Sequence, residues 1–379
     1  MIKKIISKIQ NIMFEIGSKK FKEEQNKILF IGSYQQIGSI MKELKKDKNN
    51  IIIRGSNFIG RSLFRKDVDY YVTAKTSEED VNNLLKNIDV IVTTNDTVPF
   101  ENNVIKTANK LGIPSIIIQH GALGEDESFK KSITTKVAIW GELTKEWMTK
   151  LGEDENKLII TGSPRYDSYI TKKPKEKEKI LKKFNIPKSK KIILYAPHQF
   201  NIKLTVESTQ LTLEENKKTL DKLFNAAKEF GLFLIIKLHP SNQISIKEIY
   251  KLIPEIGYGD YCIIKHGQED LFNLIGACDI FTTFTSTTAL EAMLLKKPIV
   301  TMNFFNKIDA MHYSTYGCAI QATDDETLKK AIKCILDEKE VRDKLEIMSD
   351  KFMNDYCYKL DGLSSKRVAG LIASMKKVE

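Results

Sequence analysis

The sequence predicts an α/β protein made of two parallel-sheet halves, and three observations carry that prediction. Short continuous apolar runs such as "KILFIG", "DVIVTTN" and "LFLIIK" alternate with helical segments, the pattern of strands covered on both faces of a parallel sheet. The alternation stops at a charged, proline-containing stretch, "TKKPKEKEKILKKFNIPKSKK", and then restarts. The chain has 379 residues, enough for two domains of ordinary size, and its 42% hydrophobic and 29% charged residues exclude a disordered chain.

In the first half, strands are expected at 27–32, 50–55, 89–95, 114–120, 135–141 and 157–164, each a run too short for a helix and rich in Ile and Val. Helices are expected at 33–44, 99–111 and 142–151. In the second half, strands are expected at 192–197, 232–240, 261–265, 279–284 and 298–303, with helices at 213–230, 268–276 and 286–295, and "GCAIQA" (317–322) follows. A helical tail runs from Asp325 to the end. The domain boundaries follow: 25–171 for a first Rossmann-like domain, 172–190 for a linker containing a short helix, 191–355 for a second such domain, and 356–379 for a C-terminal helix packing back on the first.

Residues 1–24 read as a basic amphipathic helix. Ile2, Ile5, Ile6, Ile9, Ile12, Met13 and Ile16 share one stripe, and Lys3, Lys4, Lys8, Lys19 and Lys20 fall beside it or at its end. Two readings stand: residues 1–20 lie on an anionic membrane surface, or they pack on the domain. No run reaches the ~18 apolar residues of a membrane span, and no signal peptide is read. The net charge of +11 is mostly lysine in biased runs, and no nucleic-acid signature accompanies it, so nucleic acid is not expected as a partner. Cys262, Cys278, Cys318, Cys334 and Cys357 are scattered and never form a CxxC pair, which fits reduced, buried thiols in a cytoplasmic protein rather than a zinc site. HExxH, G-x-G-x-x-G and phosphate-loop motifs are missing, so no obligate metal and no cofactor is expected.

The unusual polar residues gather at strand ends, where ligands of parallel sheets bind. "IIIQHGALG" delivers His120 and Gly121, "IITGSPRYD" Ser163, Arg165 and Asp167, "LYAPH" His198, and "IIKLHPS" His239. "DIFTTFTSTTALEA" supplies Thr285, Ser286, Thr287 and Thr288 at a strand-to-helix turn, with Glu291 one turn on. Free N–H groups and hydroxyls at such a turn suit a phosphate or pyrophosphate, and Glu291 suits ribose hydroxyls. The competing reading is a helix cap at Ser286 or Thr287 with Glu291 completing a capping box. His239, protonated or as a neutral donor, would offset phosphate charge.

The ordered set "QHGALG", "TGSPRYD", "LYAPHQF", "KLHPS" and "CDIFTTFTSTTALEAMLLKKPIV" resembles the GT-B nucleotide-sugar transferases, in particular bacterial CDP-glycerol glycerophosphotransferases and capsule or surface-polysaccharide transferases. The likeness spans roughly residues 88–305. It implies two Rossmann-like domains facing each other across a cleft, His120 as general base, His239 and Ser286, Thr287 and Thr288 on donor phosphates, Glu291 on the ribose, and Arg165 as a phosphate or acceptor contact. "HGALG" lacks the T-P-x-K continuation of the glycerophosphotransferases, which leaves the transferred group open. The function expected is metal-independent transfer of a sugar or polyol-phosphate unit from a CDP-, CMP- or UDP-linked donor to a glycan or lipid-linked acceptor. The enzyme would be cytoplasmic, or peripheral on the inner face of the plasma membrane. A non-hydrolysing UDP-sugar 2-epimerase and a non-catalytic nucleotide-sugar binder are the alternatives.

Overall fold

The computed structural model describes residues 27–31, 37–46, 50–54, 70–72, 78–86, 88–121, 131–197, 200, 211–240, 244–255, 257–309 and 311–375. The basic stretch 1–24, with its membrane reading, and His198 lie outside the described residues. In the first half the strands are β1 (Lys27–Ile31), β2 (Asn50–Arg54), β3 (Tyr70–Val72), β4 (Val90–Thr93), β5 (Ser115–Ile118), β6 (Lys136–Ile139) and β7 (Leu158–Ile160). Its helices are α1 (Gly38–Lys46), α2 (Glu78–Leu85), α3 (Pro99–Lys110), α4 (Glu142–Lys150) and α5 (Asp167–Thr171). Helix α6 (Lys177–Lys183) precedes the second half, whose strands are β8 (Ile192–Tyr195), β9 (Phe233–Lys237), β10 (Tyr261–Ile264), β11 (Ile280–Thr283), β12 (Ile299–Met302) and β13 (Ile320–Ala322). Helices α7 (Leu213–Glu229), α8 (Ile246–Tyr250), α9 (Leu271–Ala277), α10 (Thr288–Leu294), α11 (Asp325–Asp337), α12 (Lys339–Cys357) and α13 (Ser364–Ser374) complete the chain. Strand β3 and helix α2 were not expected from the sequence. At three residues β3 is too short to give an apolar run, and α2 is largely polar.

The strands form two sheets, ordered β3-β2-β1-β4-β5-β6-β7 and β10-β9-β8-β11-β12-β13. Every pairing among the described residues is parallel. The continuous apolar strands follow from coverage of both faces. In β1, Ile28 and Phe30 pack with Met41 and Leu44 of α1 and with Val368 and Ile372 of α13. The alternate residues Leu29 and Ile31 pack with Val81 and Leu85 of α2 and Val104 and Ala108 of α3. A period-2 strand buried on both sides must be apolar at every position.

The described residues up to Thr171 and from Asp355 onward group into one compact unit, and Lys172–Asn354 into another. The charged stretch after Thr171 is pinned to the second unit. Glu269, only 2% exposed at its side chain, accepts from Lys175 Nζ at 2.9 Å and Lys183 Nζ at 2.6 Å, and from Asn273 Nδ2 at 2.7 Å. Lys177 pairs with Asp279 at 2.7 Å and Lys172 with Asp270 at 2.9 Å. Much of the lysine excess in this stretch is therefore neutralised internally. Pro174 presses on α9 where Gly276 leaves room; a Cβ there would lie 2.5 Å from the proline ring. Cys278, Cys318 and Cys357 are buried, and burial pushes the first two thiols up to about 12, which leaves them inert at neutral pH.

Burial pushes the Glu269 carboxyl up, but the hydrogen bonds from Lys183, Lys175, Asn273 and the Asp270 N–H outweigh it and hold the group at about 2. A carboxyl that binds its proton more weakly in the fold than in the unfolded chain stabilises the fold above its unfolded pKa, and that contribution fades as pH falls. Glu269→Ala is expected to cost about 2–3 kcal/mol at pH 7 by leaving buried polar partners unmet. The deficit relative to wild type should shrink as pH falls from about 4.5 toward 2 in chemical denaturation.

Candidate active site

In the second sheet the chain reverses its direction of growth between β8 and β11, which are neighbours. A parallel sheet opens a ligand crevice beyond the carboxyl ends of such a strand pair. The turn after β11 lies there. Thr282 Oγ1 donates to Leu194 O at 3.1 Å and Thr283 Oγ1 to Ala196 O at 2.9 Å, so these two hydroxyls serve the sheet. Thr285, Ser286, Thr287 and Thr288 follow, all half-buried. Helix α10 starts at Thr288, two residues later than expected, and the capping box does not form: Thr287 makes no side-chain cap. Ser286 Oγ instead accepts from Thr288 N at 3.3 Å and Thr288 Oγ1 at 3.0 Å. The bond from Thr288 N makes Ser286 a helix-start cap, while Thr287 does not cap and Glu291 completes no capping box. Glu291 is 2% exposed, placed inside α10 rather than at its rim.

The loop after β12 supplies contacts that the sequence did not reveal. Asp309 Oδ1 accepts from Thr285 Oγ1 at 3.2 Å, and Tyr313 Oη donates to Ser286 O at 3.2 Å. Asp309 and Tyr313 in "NFFNKIDAMHY" carry no motif signal by spacing, so nothing in the sequence joined them to the turn.

His239 follows β9, the neighbour of β8, and its side chain is exposed. Desolvation at the strand end, then the charges of Lys237 and His266, hold its imidazole below the ordinary histidine range. Of the two expected forms the protonated one is therefore disfavoured at neutral pH, and the neutral imidazole is left as a hydrogen-bonding group. Lys237, 7% exposed, donates to Leu238 O and Lys265 O at 3.3 Å each and ties the His239 strand end to the end of β10.

In the first sheet, His120 and Gly121 follow β5, with the His120 side chain exposed. Gln119 sets that turn. Its Oε1 accepts from Trp140 N at 2.8 Å, its Nε2 donates to Gly121 O at 3.0 Å, and its carbonyl accepts from Trp140 Nε1 at 3.0 Å. The "TGSPRYD" turn follows β7. Ser163 is 2% exposed and its Oγ has no hydrogen-bond partner. Arg165 is half-buried, its guanidinium 5.8 Å from the centre of the Tyr166 ring. Tyr166 meets Trp140 edge-on at 5.7 Å, so the two strand-end turns share one aromatic support.

Helix α13 locks the Ser163 turn in place. Asp167 accepts from Ser364 N at 3.0 Å and Ser365 N at 2.6 Å, satisfying the first N–H groups of the helix. Arg367 Nε donates to Thr161 O at 2.7 Å. Gly162 sits at φ +80°, and a Cβ there would lie 2.6 Å from Ser364 Oγ. Asp167 thus serves as a cap of α13. Among the described residues, no group of three or more His, Cys, Asp or Glu is arranged to hold a metal ion. None of their helices is long and apolar enough to cross a membrane.

Residues 140–374 match the family model of CDP-glycerol:poly(glycerophosphate) glycerophosphotransferases, a segment that includes the Ser163 turn, the His239 strand end, the hydroxyl turn and α13. The chain belongs to this family. Among curated relatives, the teichoic acid glycerol-phosphate primase of Bacillus subtilis (strain 168) is 32% identical over 161 residues, covering 42% of this chain and 36% of the relative. The poly(ribitol-phosphate) polymerase of Bacillus spizizenii is 26% identical over 254 residues, 65% of this chain and 38% of the relative. The poly(glycerol phosphate) polymerase of the same organism is 25% identical, covering 64% and 61% respectively. The chain thus matches between about a third and three fifths of these relatives' length.

Solved structures share the GT-B fold. The wall teichoic acid polymerase TagF superposes with a TM-score of 0.59 at 18% identity over 98% of this chain and 95% of that one. A UDP-N-acetylglucosamine 2-epimerase from Listeria monocytogenes superposes at 0.65 and 15% identity over 92% and 96%. At such identities the superpositions speak to fold alone. The family model is what sets this member apart from the epimerases.

Gln119→Leu is expected to destabilise the glycerophosphotransferase family member by about 2 kcal/mol, because it leaves the buried Trp140 N–H unpaired. Gly162→Ala should cost about 1–3 kcal/mol through left-handed strain and its collision with Ser364. Denaturant melts check both. An NMR titration of His239 should give a midpoint below 6.5.

Proposed function

We propose that the chain moves a polyol-phosphate unit from a cytidine-nucleotide-linked donor to a hydroxyl of a cell-envelope glycan or lipid-linked acceptor. The observation that carries the reading is the family match over residues 140–374, which includes the hydroxyl turn and the His239 strand end. The curated relatives act on glycerol-phosphate and ribitol-phosphate polymers by name, which favours a polyol phosphate over a sugar.

In this reading His239 and the turn at Thr285–Thr288 hold the donor diphosphate, Glu291 faces the ribose, and Ser163, Arg165 and Gly121 contact the acceptor or its phosphates. The acceptor oxygen attacks the phosphorus that bears the polyol. His120 takes the proton of that hydroxyl. The phosphoanhydride bond breaks and CMP leaves, its charge met by donors already in place before the reaction. His120 precedes the matched segment, so its assignment rests on its exposed position after β5 and on the rigid Gln119–Trp140 brace beneath it.

The test is release of CMP from CDP-glycerol and CDP-ribitol with and without a polyol-phosphate-primed acceptor. Release that rises with acceptor supports the proposal. No release, or conversion of UDP-N-acetylglucosamine to a new isomer instead, contradicts it. His120→Ala should lower kcat about 10²–10⁴-fold while CDP still binds. Wild-type turnover in that variant would remove His120 from the role of base.

A further inference from the structure

We propose that Asp309 and Tyr313 are positioning residues that fix the hydroxyl turn so that Ser286, and not Thr285, donates the side-chain hydrogen bond to the phosphates of the donor. The inference deepens the proposed function and rests on it for the identity of the ligand.

The assignment follows from counting protons. A threonine hydroxyl has one proton to give. Thr285 gives its proton to Asp309 Oδ1, 3.2 Å away. The same oxygen accepts from Met311 N at 3.3 Å and His312 N at 3.2 Å, so the carboxylate is fastened to its own loop and holds Thr285 to it. Ser286 is in the opposite condition. Its Oγ accepts twice, from Thr288 N and Thr288 Oγ1. Both lone pairs are occupied, and its own proton remains to be given.

The loop is built to keep that arrangement. Asn303 closes it by accepting from Lys307 N at 2.9 Å and donating to Lys307 O at 2.8 Å. His312 takes a left-handed backbone, φ 54°, an unfavourable conformation for a side-chain-bearing residue that surrounding contacts must hold. Next to it Tyr313 is fully buried, its ring edge-on to Phe352 at 5.5 Å, and its hydroxyl reaches Ser286 O. One loop therefore grips two successive residues of the turn, Thr285 by its side chain and Ser286 by its backbone. The Ser286 proton is left in a fixed direction before any ligand arrives, which lowers the ordering cost of binding.

The test measures CDP affinity and CDP-glycerol KM and kcat for full-length variants, with thermal melts to show that each folds. Tyr313→Phe keeps the ring and removes the bond to Ser286; it should weaken CDP binding about five-fold, the equivalent of one hydrogen bond. Asp309→Ala should do the same, whereas Asp309→Asn, which keeps the accepting oxygen, should restore most of the loss. Thr285→Val should resemble Asp309→Ala, and the double variant should be no worse than either alone, because both remove one bond. Ser286→Ala should weaken binding at least about ten-fold, as expected for a bond to a charged group. Wild-type affinity in Tyr313→Phe and Asp309→Ala overturns the inference, as does full affinity in Ser286→Ala. If the wild type itself binds neither CDP nor CDP-glycerol, the proposed function fails, and this inference fails with it.

Discussion

Parallel pairing is the constraint on which the rest depends. When all strands of a sheet run the same way, all their carboxyl ends lie along one edge, and the loops that leave them are neighbours whatever their distance in sequence. In the second sheet this brings the end of β9, with His239, beside β8, and β8 beside the hydroxyl turn after β11. In the first it brings His120 after β5 beside Trp140 after β6, and Trp140 beside the Ser163 turn after β7. The sheets themselves contain almost no chemistry. Their apolar strands serve to hold the polar strand ends in register.

The strand ends are held by a second set of residues, most of them far away in sequence. Gln119 ties β5 to the end of β6, and Trp140 with Tyr166 carries that support to the next turn. Helix α13, at the other end of the chain, bonds Thr161 and Asp167 and fills the space that Gly162 leaves open. Gly141 shows the same closeness, since a Cβ there would lie 2.5 Å from the backbone of Asp355 and Tyr356. Residues distant in sequence thus decide where the candidate site residues stand.

The fold was legible because continuous apolar runs have one economical explanation, burial on both faces. Elements without such a run escaped: β3 is three residues long, and α2 is mostly polar. The candidate turns were legible because histidines and hydroxyls at strand ends are chemically out of place. Their support was not. Asp309, Tyr313 and Arg367 are ordinary surface-compatible residues, and only folding shows that they reach Thr285, Ser286 and Thr161. The state of His239 was equally hidden, since it depends first on desolvation at the strand end and then on the closeness of Lys237 and His266. The hydroxyl run after β11 proved to be two sets, one bonded to β8 and its exit and one bonded within the turn and to the loop after β12.

The central claim is that the turn after β11 and the His239 strand end hold the diphosphate of a cytidine-linked donor. A crystal structure of the protein soaked with CDP-glycerol tests it most directly. The account predicts phosphate oxygens within about 3 Å of Ser286 Oγ and of the His239 imidazole, the range of a hydrogen bond, with the Thr285–Asp309 bond intact. A diphosphate bound away from both residues would contradict it.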